Sequence, residues 1–174
     1  MDKFKKIIAA ILVLTLGVSV ITGCGQKKQQ RGPLDVKKVC YLVYLGGIDR
    51  IELYVITSDY KVKEYSMSSD PNHKYDYINE ELPPEGQYEL KEYEISELSW
   101  TSMVNVLTRV GFMEIKEDLS AKGDIDDASS YYIKVETADA VHISGGYAAG
   151  TSGGSDNTNF EEARQYIRNA LKNT

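Results

Sequence analysis

The sequence predicts an α+β domain in which two helices pack on a mostly antiparallel sheet. Short runs rich in β-branched and aromatic residues follow one another without an intervening helix, which favours hairpins over parallel β–α–β units. Two later segments instead carry apolar residues at helical spacing. The predicted order is strands, helix, strands, helix, within residues 34–174, a length sufficient to bury a hydrophobic core.

The first predicted strands form a meander. Residues 39–45 are apolar on both alternating faces, which is typical of a strand buried on both sides. Residues 48–56 and 60–67 are predicted to form a hairpin around a short polar turn. Residues 70–87 contain three prolines and predict a long loop, after which residues 88–95 predict another strand.

Capping residues mark the two helices. Ser96 is a candidate N-cap, and Gly111 fits the C-terminal end of a helix whose apolar residues recur at helical spacing. Asn159 is predicted to open the last helix, with Glu162 three residues later completing a capping box.

The segments between the helices predict further strands. Residues 112–115 suggest a short strand, and residues 130–137 and 141–144 suggest a second hairpin. The glycine-rich residues 144–155 predict a flexible loop. A phosphate-binding loop is not expected there, because no Lys or Arg lies between Lys134 and Arg164.

The N-terminus has the three parts of a secretory signal. Three lysines within the first six residues precede a run at 7–21 that is almost wholly apolar. The following residues, Ile21-Thr22-Gly23-Cys24, resemble the lipobox of bacterial lipoproteins. The resemblance implies cleavage between Gly23 and Cys24, a diacylglycerol on the Cys24 thiol and often a further acyl chain such as palmitate. The alternative is a plain transmembrane anchor.

The predicted organisation therefore has three parts. Residues 1–23 are the signal peptide, residues 24–33 are the lipidated cysteine with a flexible basic tether, and residues 34–174 are an extracytoplasmic domain. The formal net charge of −6 is an average, because the signal peptide carries +2, the tether +3 and the domain −11. An acidic domain of this kind argues against nucleic-acid binding, which needs cationic groups for the phosphates.

The candidates for catalysis are few. Cys40 lies in an apolar strand and is expected to pack in the core. His73 is expected to be solvated. Asp139, His142 and Ser144 contain the residue types of a hydrolase triad, which leaves an envelope hydrolase as an alternative function. Side chains two apart on a strand project in parallel, however, and seldom form the required hydrogen bond.

No metal or other cofactor is expected. Asp124, Asp126 and Asp127 offer oxygen ligands for Ca²⁺, but they lack the EF-hand pattern, and a solvated acidic loop is the preferred interpretation. Two cysteines are too few for a four-cysteine zinc site or a disulfide scaffold.

Tyrosine is the remaining cue to function. Tyr75, Tyr77, Tyr88 and Tyr93 fall within residues 70–97, which hold nine acidic residues and two lysines. Tyrosine combines an apolar ring with a polar tip and is common at binding surfaces. The leading hypothesis is a non-enzymatic, membrane-anchored lipoprotein that binds a protein, a peptide or an envelope component through this surface. A structural or assembly accessory of the envelope is the other alternative function. The tyrosines also fit half-buried strands, in which case the acidic residues only keep the surface soluble.

Overall fold

The computed structural model describes residues 32–69, 74–123 and 125–172. Within them, six antiparallel strands form one sheet and two helices pack against it, which confirms the α+β class. The strands are β1 (Val36–Leu45), β2 (Arg50–Thr57), β3 (Lys61–Met67), β4 (Tyr88–Glu94), β5 (Ser130–Thr137) and β6 (Val141–Tyr147). The helices are α1 (Glu97–Val110) and α2 (Ser155–Lys172).

Strand β1 lies at the centre of the sheet. The strand order is β4-β3-β2-β1-β5-β6, and every pairing between neighbours is antiparallel. Residues 39–43 are all buried, because β1 is covered on both faces. The prediction of a strand buried on both sides is confirmed.

The helices cover one face of the sheet, called here the helix-side face. Phe112 and Phe160 are fully buried between the helices and the strands, together with Leu107 of α1 and Ile167 of α2. The backbone N–H of Ser99 donates to Ser96 Oγ at 3.1 Å, as predicted for the N-cap of α1. Gly111 ends the helix in the left-handed conformation at φ 66°.

Residues 74–87 cover the opposite face, called here the loop-side face. They contain one short 3-10 turn, Tyr77–Asn79, whose first residue is only 3% exposed. Tyr77 packs over Cys40, Leu42 and Leu53 to form a second hydrophobic core. The described part of the predicted loop therefore lacks strands but is packed against the sheet.

Two predicted elements were wrong. Residues 112–115 are not a strand: Phe112–Glu114 form a 3-10 turn, because the left-handed Gly111 turns the chain so that Phe112 enters the core. The last helix begins at Ser155 rather than at Asn159. Asn159 is inside that helix, and its Nδ2 donates to the carbonyl of Val110 at 3.1 Å, so it joins the two helices.

The predicted glycine-rich loop was also placed too early. Strand β6 continues to Tyr147, with Gly145 and Gly146 at φ 155° and 143°. A Cβ atom would lie 2.2 Å from the Tyr131 carbonyl oxygen at Gly145 and 2.3 Å from Ser120 Oγ at Gly146. Glycine is needed at Gly145 because the neighbouring strand β5 approaches closely, and at Gly146 because residues 117–121 run alongside β6 and pair with its edge.

Within the described residues, neither helix has the length and apolarity required of a membrane span. The predicted signal peptide, the lipobox residues Gly23 and Cys24 and most of the tether lie outside the described residues.

Candidate functional site

The four predicted binding tyrosines are divided between the two faces of the sheet. Tyr75, Tyr77 and Tyr88 pack on the loop-side face, whereas Tyr93 packs on the helix-side face. Tyr88 and Tyr93 separate because they are an odd number of residues apart on β4, where side chains alternate. The predicted set therefore does not form one surface.

An open cleft on the loop-side face brings one of these tyrosines, Tyr75, together with two tyrosines from the centre of the sheet. We call it the tyrosine cleft; its volume is about 510 Å³, and Tyr44, Tyr75 and Tyr132 line it with Leu42 and Ile78. Ring centroids lie 6.1 Å apart for Tyr44 and Tyr132 and 6.3 Å apart for Tyr44 and Tyr77, both with edge-to-face geometry. Tyr75 lies 6.0 Å from Tyr77. Such edge-to-face contacts add to the stabilisation from burial and hold the rings in place.

Sheet pairing and the 3-10 turn position these rings. Tyr132 is the register partner of Leu42 on the adjacent strand, so it projects beside Tyr44. Tyr77 is buried and anchors the turn, whereas Tyr75 is half-buried and faces the cleft. Sequence reasoning missed Tyr44 and Tyr132 because they belong to the cleft only through strand pairing.

Charged groups surround the mouth of the tyrosine cleft. Asp76 and Glu81 are exposed and line it, together with Lys74. Lys74 Nζ lies 5.4 Å from the centroid of the Tyr75 ring, a cation–π distance. Burial, followed by the neighbouring tyrosines, raises the pKa of Tyr44 to about 12, so its phenol stays neutral at physiological pH. The cleft thus offers aromatic faces, neutral hydroxyls and carboxylates at its rim.

A group of four charged side chains, called here the charge latch, fastens residues 74–87 to the sheet. Lys38 of β1 forms ion pairs with Glu80 and, at 3.2 Å, with Glu136 of β5. Lys134 pairs with Glu136 at 2.8 Å and is only 7% exposed. Burial opposes the charge of Lys38, but its hydrogen bonds to Glu80 and Glu136 raise its pKa above the ordinary value. The latch holds the turn that carries Tyr75 and Tyr77.

Acidic residues also lie along one edge of the sheet, away from the tyrosine cleft. Strand β4 is the terminal strand, and Glu89, Glu92 and Glu94 on it are exposed. Lys63 pairs with Glu92 at 3.6 Å. Glu81, Glu85 and Glu89 form no ion pair with any described cation.

The residues considered for catalysis are either buried or not joined to one another by hydrogen bonds. Cys40 is fully buried, and burial followed by Glu80 raises the pKa of its thiol to about 12, so it packs as an apolar residue. Ser144 is fully buried and donates to the carbonyl of Lys116 at 2.6 Å. His142 lies edge-on to Phe112 at 5.7 Å, and its Nε2 is buried without a hydrogen-bond partner among the described residues. No described hydrogen bond joins His142 to Ser144 or Asp139, so this geometry does not favour a triad.

The predicted weak calcium site has two described members. Asp126 and Asp127 are exposed, whereas Asp124 and also His73 lie outside the described residues. In the part of the chain that the structure describes, no three His, Cys, Asp or Glu side chains converge to hold a metal ion.

The sequence was compared with protein-family models and with curated proteins. No protein-family model matches the sequence, and comparison with curated proteins gave no significant match. The functional argument therefore depends on the chemistry of the described surfaces.

Proposed function

We propose that this chain is a bacterial lipoprotein, anchored by acyl chains on Cys24, whose domain binds a cationic peptide or protein segment without catalysis. The observation that carries the proposal is the tyrosine cleft, where aromatic faces lie beside the exposed carboxylates of Asp76 and Glu81. Lys and Arg side chains combine an apolar stem with a charged head, and both parts find complementary groups in such a cleft.

The charge of the domain supports a cationic ligand. Residues 34–174 carry a net −11, and the exposed Glu85 adds negative charge to the segment, residues 74–87, that borders the cleft. A negative field of this kind increases the rate at which cationic partners arrive and decreases as salt is added.

The anchor supports an extracytoplasmic location at the cell membrane. The lipobox residues at 21–24 follow a positively charged start and an apolar run. Two or three acyl chains attach a protein stably, whereas one chain attaches it only marginally. Nine tether residues span at most about 30 Å when extended, so the domain would act close to the membrane surface.

Peptide binding tests the function. We expect a fluorescein-labelled peptide of alternating Lys and Ala to bind the full-length protein in neutral detergent, measured by fluorescence anisotropy. The same peptide with Glu in place of Lys should not bind. Replacing Tyr75 by Ala should weaken binding about 2- to 30-fold, the range expected for one lost cation–π contact.

A second variant and two controls distinguish binding in the tyrosine cleft from nonspecific attraction to the negative charge of the domain. The double variant Asp76→Asn/Glu81→Gln should also weaken binding about 2- to 30-fold, because two exposed ion pairs are lost. Tyr166→Ala removes an exposed tyrosine of α2 and Glu97→Gln removes an exposed carboxylate of α1, both on the other side of the sheet, and both should leave affinity unchanged. Equal affinity for the Lys and Glu peptides, or equal effects of Tyr75→Ala and Tyr166→Ala, would contradict the proposal.

A further inference from the structure

A second cleft lies on the helix-side face and is separate from the tyrosine cleft. It has a volume of about 330 Å³ and lies between the C-terminal half of α2 and the sheet. We call it the dipolar cleft, because its two walls carry opposite charges. The sheet wall contains Glu52 and Glu64, and the helix wall contains Arg164, Arg168 and Lys172.

The sheet wall presents two carboxylates that are mostly shielded from water. The side chains of Glu52 and Glu64 are 23% and 18% exposed. Glu52 accepts a hydrogen bond from the Tyr54 hydroxyl at 3.0 Å, and Glu64 accepts one from the Tyr93 hydroxyl at 3.2 Å.

These carboxylates keep capacity for a ligand. Each has one further partner, Arg50 at 3.3 Å for Glu52 and Lys91 at 3.3 Å for Glu64. A carboxylate has about four acceptor positions, so each retains positions for an added ammonium.

Two of the three cations on the helix wall form no ion pair with a described carboxylate. Arg164 is the cation that already has partners: it donates two hydrogen bonds to Glu161, and its Cζ lies 4.2 Å from the centroid of the Tyr131 ring. Arg168 and Lys172 are exposed, and neither forms an ion pair with a described carboxylate. These two side chains are available to an anionic group.

Aromatic rings form the floor between the two walls. The rings of Tyr41 and Tyr54 are stacked with centroids 6.0 Å apart, and Tyr93 and Tyr131 lie at the sides. The floor therefore favours a ligand with an apolar or aromatic body, while the walls favour opposite charges at its two ends.

We propose that the dipolar cleft binds a small zwitterion of the amino-acid or short-peptide class. Its ammonium lies against Glu52 and Glu64, its carboxylate lies against Arg168 and Lys172, and its side chain contacts the tyrosine floor. A ligand with only one charge makes its ionic contacts with one wall alone, whereas a zwitterion makes them with both, so selectivity for zwitterions follows from the two walls. This inference does not depend on the peptide-binding function proposed for the tyrosine cleft.

Three matched dipeptide probes test the charge requirement. We expect alanyl-phenylalanine, titrated into the full-length protein by isothermal titration calorimetry, to bind at least about tenfold tighter than either N-acetyl-alanyl-phenylalanine or alanyl-phenylalanine amide. The acetylated probe lacks the ammonium and the amide probe lacks the carboxylate. Equal affinity for all three, or no saturable binding of the zwitterion up to about 10 mM, would overturn the proposal.

Two variants assign the charges to the walls. Glu64→Gln should reduce the preference for the zwitterion over the acetylated probe to below about threefold and leave the preference over the amide probe intact. Arg168→Gln should have the reverse effect. A general loss of folding would change both preferences together, so this crossed pattern distinguishes binding from stability.

Matched substitutions elsewhere complete the test. Glu117→Gln and Arg109→Gln remove the same charges from exposed positions outside the cleft, and both preferences should stay at the wild-type values. If the control variants and the cleft variants change the preferences equally, the proposed site is wrong. Tyr75→Ala, in the tyrosine cleft, should also leave dipeptide affinity unchanged.

Discussion

The charge latch should determine whether residues 74–87 stay on the sheet. Glu80 is the residue of this segment that pairs with Lys38, and Glu136 lies 3.2 Å from the same ammonium. Replacing Glu80 by Gln keeps the shape of the side chain but removes its charge. The substitution should therefore weaken the attachment without creating a cavity.

The magnitude follows from the exposure of the pair. The Lys38 and Glu80 side chains are 23% and 32% exposed, between the limits of a surface pair and a buried pair. Exposed pairs contribute about 0 to 1 kcal/mol, and breaking a buried pair costs about 3 to 5 kcal/mol. Because Gln still accepts a hydrogen bond from Lys38, we expect Glu80→Gln to lower the free energy of unfolding by about 1 to 2 kcal/mol. For a domain of this size the melting temperature should fall by about 3 to 10 °C.

Thermal unfolding and hydrogen exchange measure this effect. Circular dichroism should give the lowered melting temperature, and the amides of residues 74–87 should exchange faster than in the wild-type protein, with a smaller change in β1 and β2. The control is Glu81→Gln, because Glu81 is adjacent and exposed and forms no ion pair with a described cation. The role of the latch would be refuted if the free energies of unfolding of the two variants differed by less than about 0.5 kcal/mol, which is the usual effect of a surface substitution.

Four further outcomes are expected. Gly146→Ala should destabilise the protein by at least about 1 kcal/mol in urea unfolding, because its Cβ would meet Ser120 and φ is positive; wild-type stability would contradict this. Cys24→Ala should abolish incorporation of labelled palmitate and release the protein from membranes; unchanged labelling would disprove the anchor. In Cys24→Ser, the buried Cys40 thiol should react with a disulfide reagent only after unfolding; rapid native reaction would refute its burial. Burial raises the pKa of Glu136, but the hydrogen bonds and charges of Lys134 and Lys38 together lower it by more, so the pKa of Glu136 lies below its usual value. Its contribution, measured as the stability lost in Glu136→Gln, should be present above pH 4.5 and disappear as the pH falls through the lowered pKa, and a pH-independent difference would contradict this.

Local patterns predicted most of the secondary structure, because caps and alternation act over a few residues. Ser96 and Gly111 mark the ends of α1 through hydrogen bonds that are local in sequence. Asn159 misled the prediction, because a residue with good capping chemistry can sit inside a helix when its side chain has a distant partner, here the Val110 carbonyl. Gly145 and Gly146 were assigned to a loop because the contacts that require glycine come from distant residues, Tyr131 of β5 for Gly145 and Ser120 for Gly146.

The sequence by itself determined the α+β class, the burial of β1, and the contrast in charge between the basic residues 24–33 and the acidic residues 34–174. These properties depend on composition and on periods of two and 3.6 residues, which are visible without knowing the partners. Only the tertiary structure decided which side chains share a surface. It put Tyr93 and Tyr75 on different faces, and it brought Tyr44 and Tyr132 into one cleft and Glu64 and Arg168 into another. The physical reason is that strand register and helix packing bring together residues far apart in the chain, and neither is encoded in any short segment.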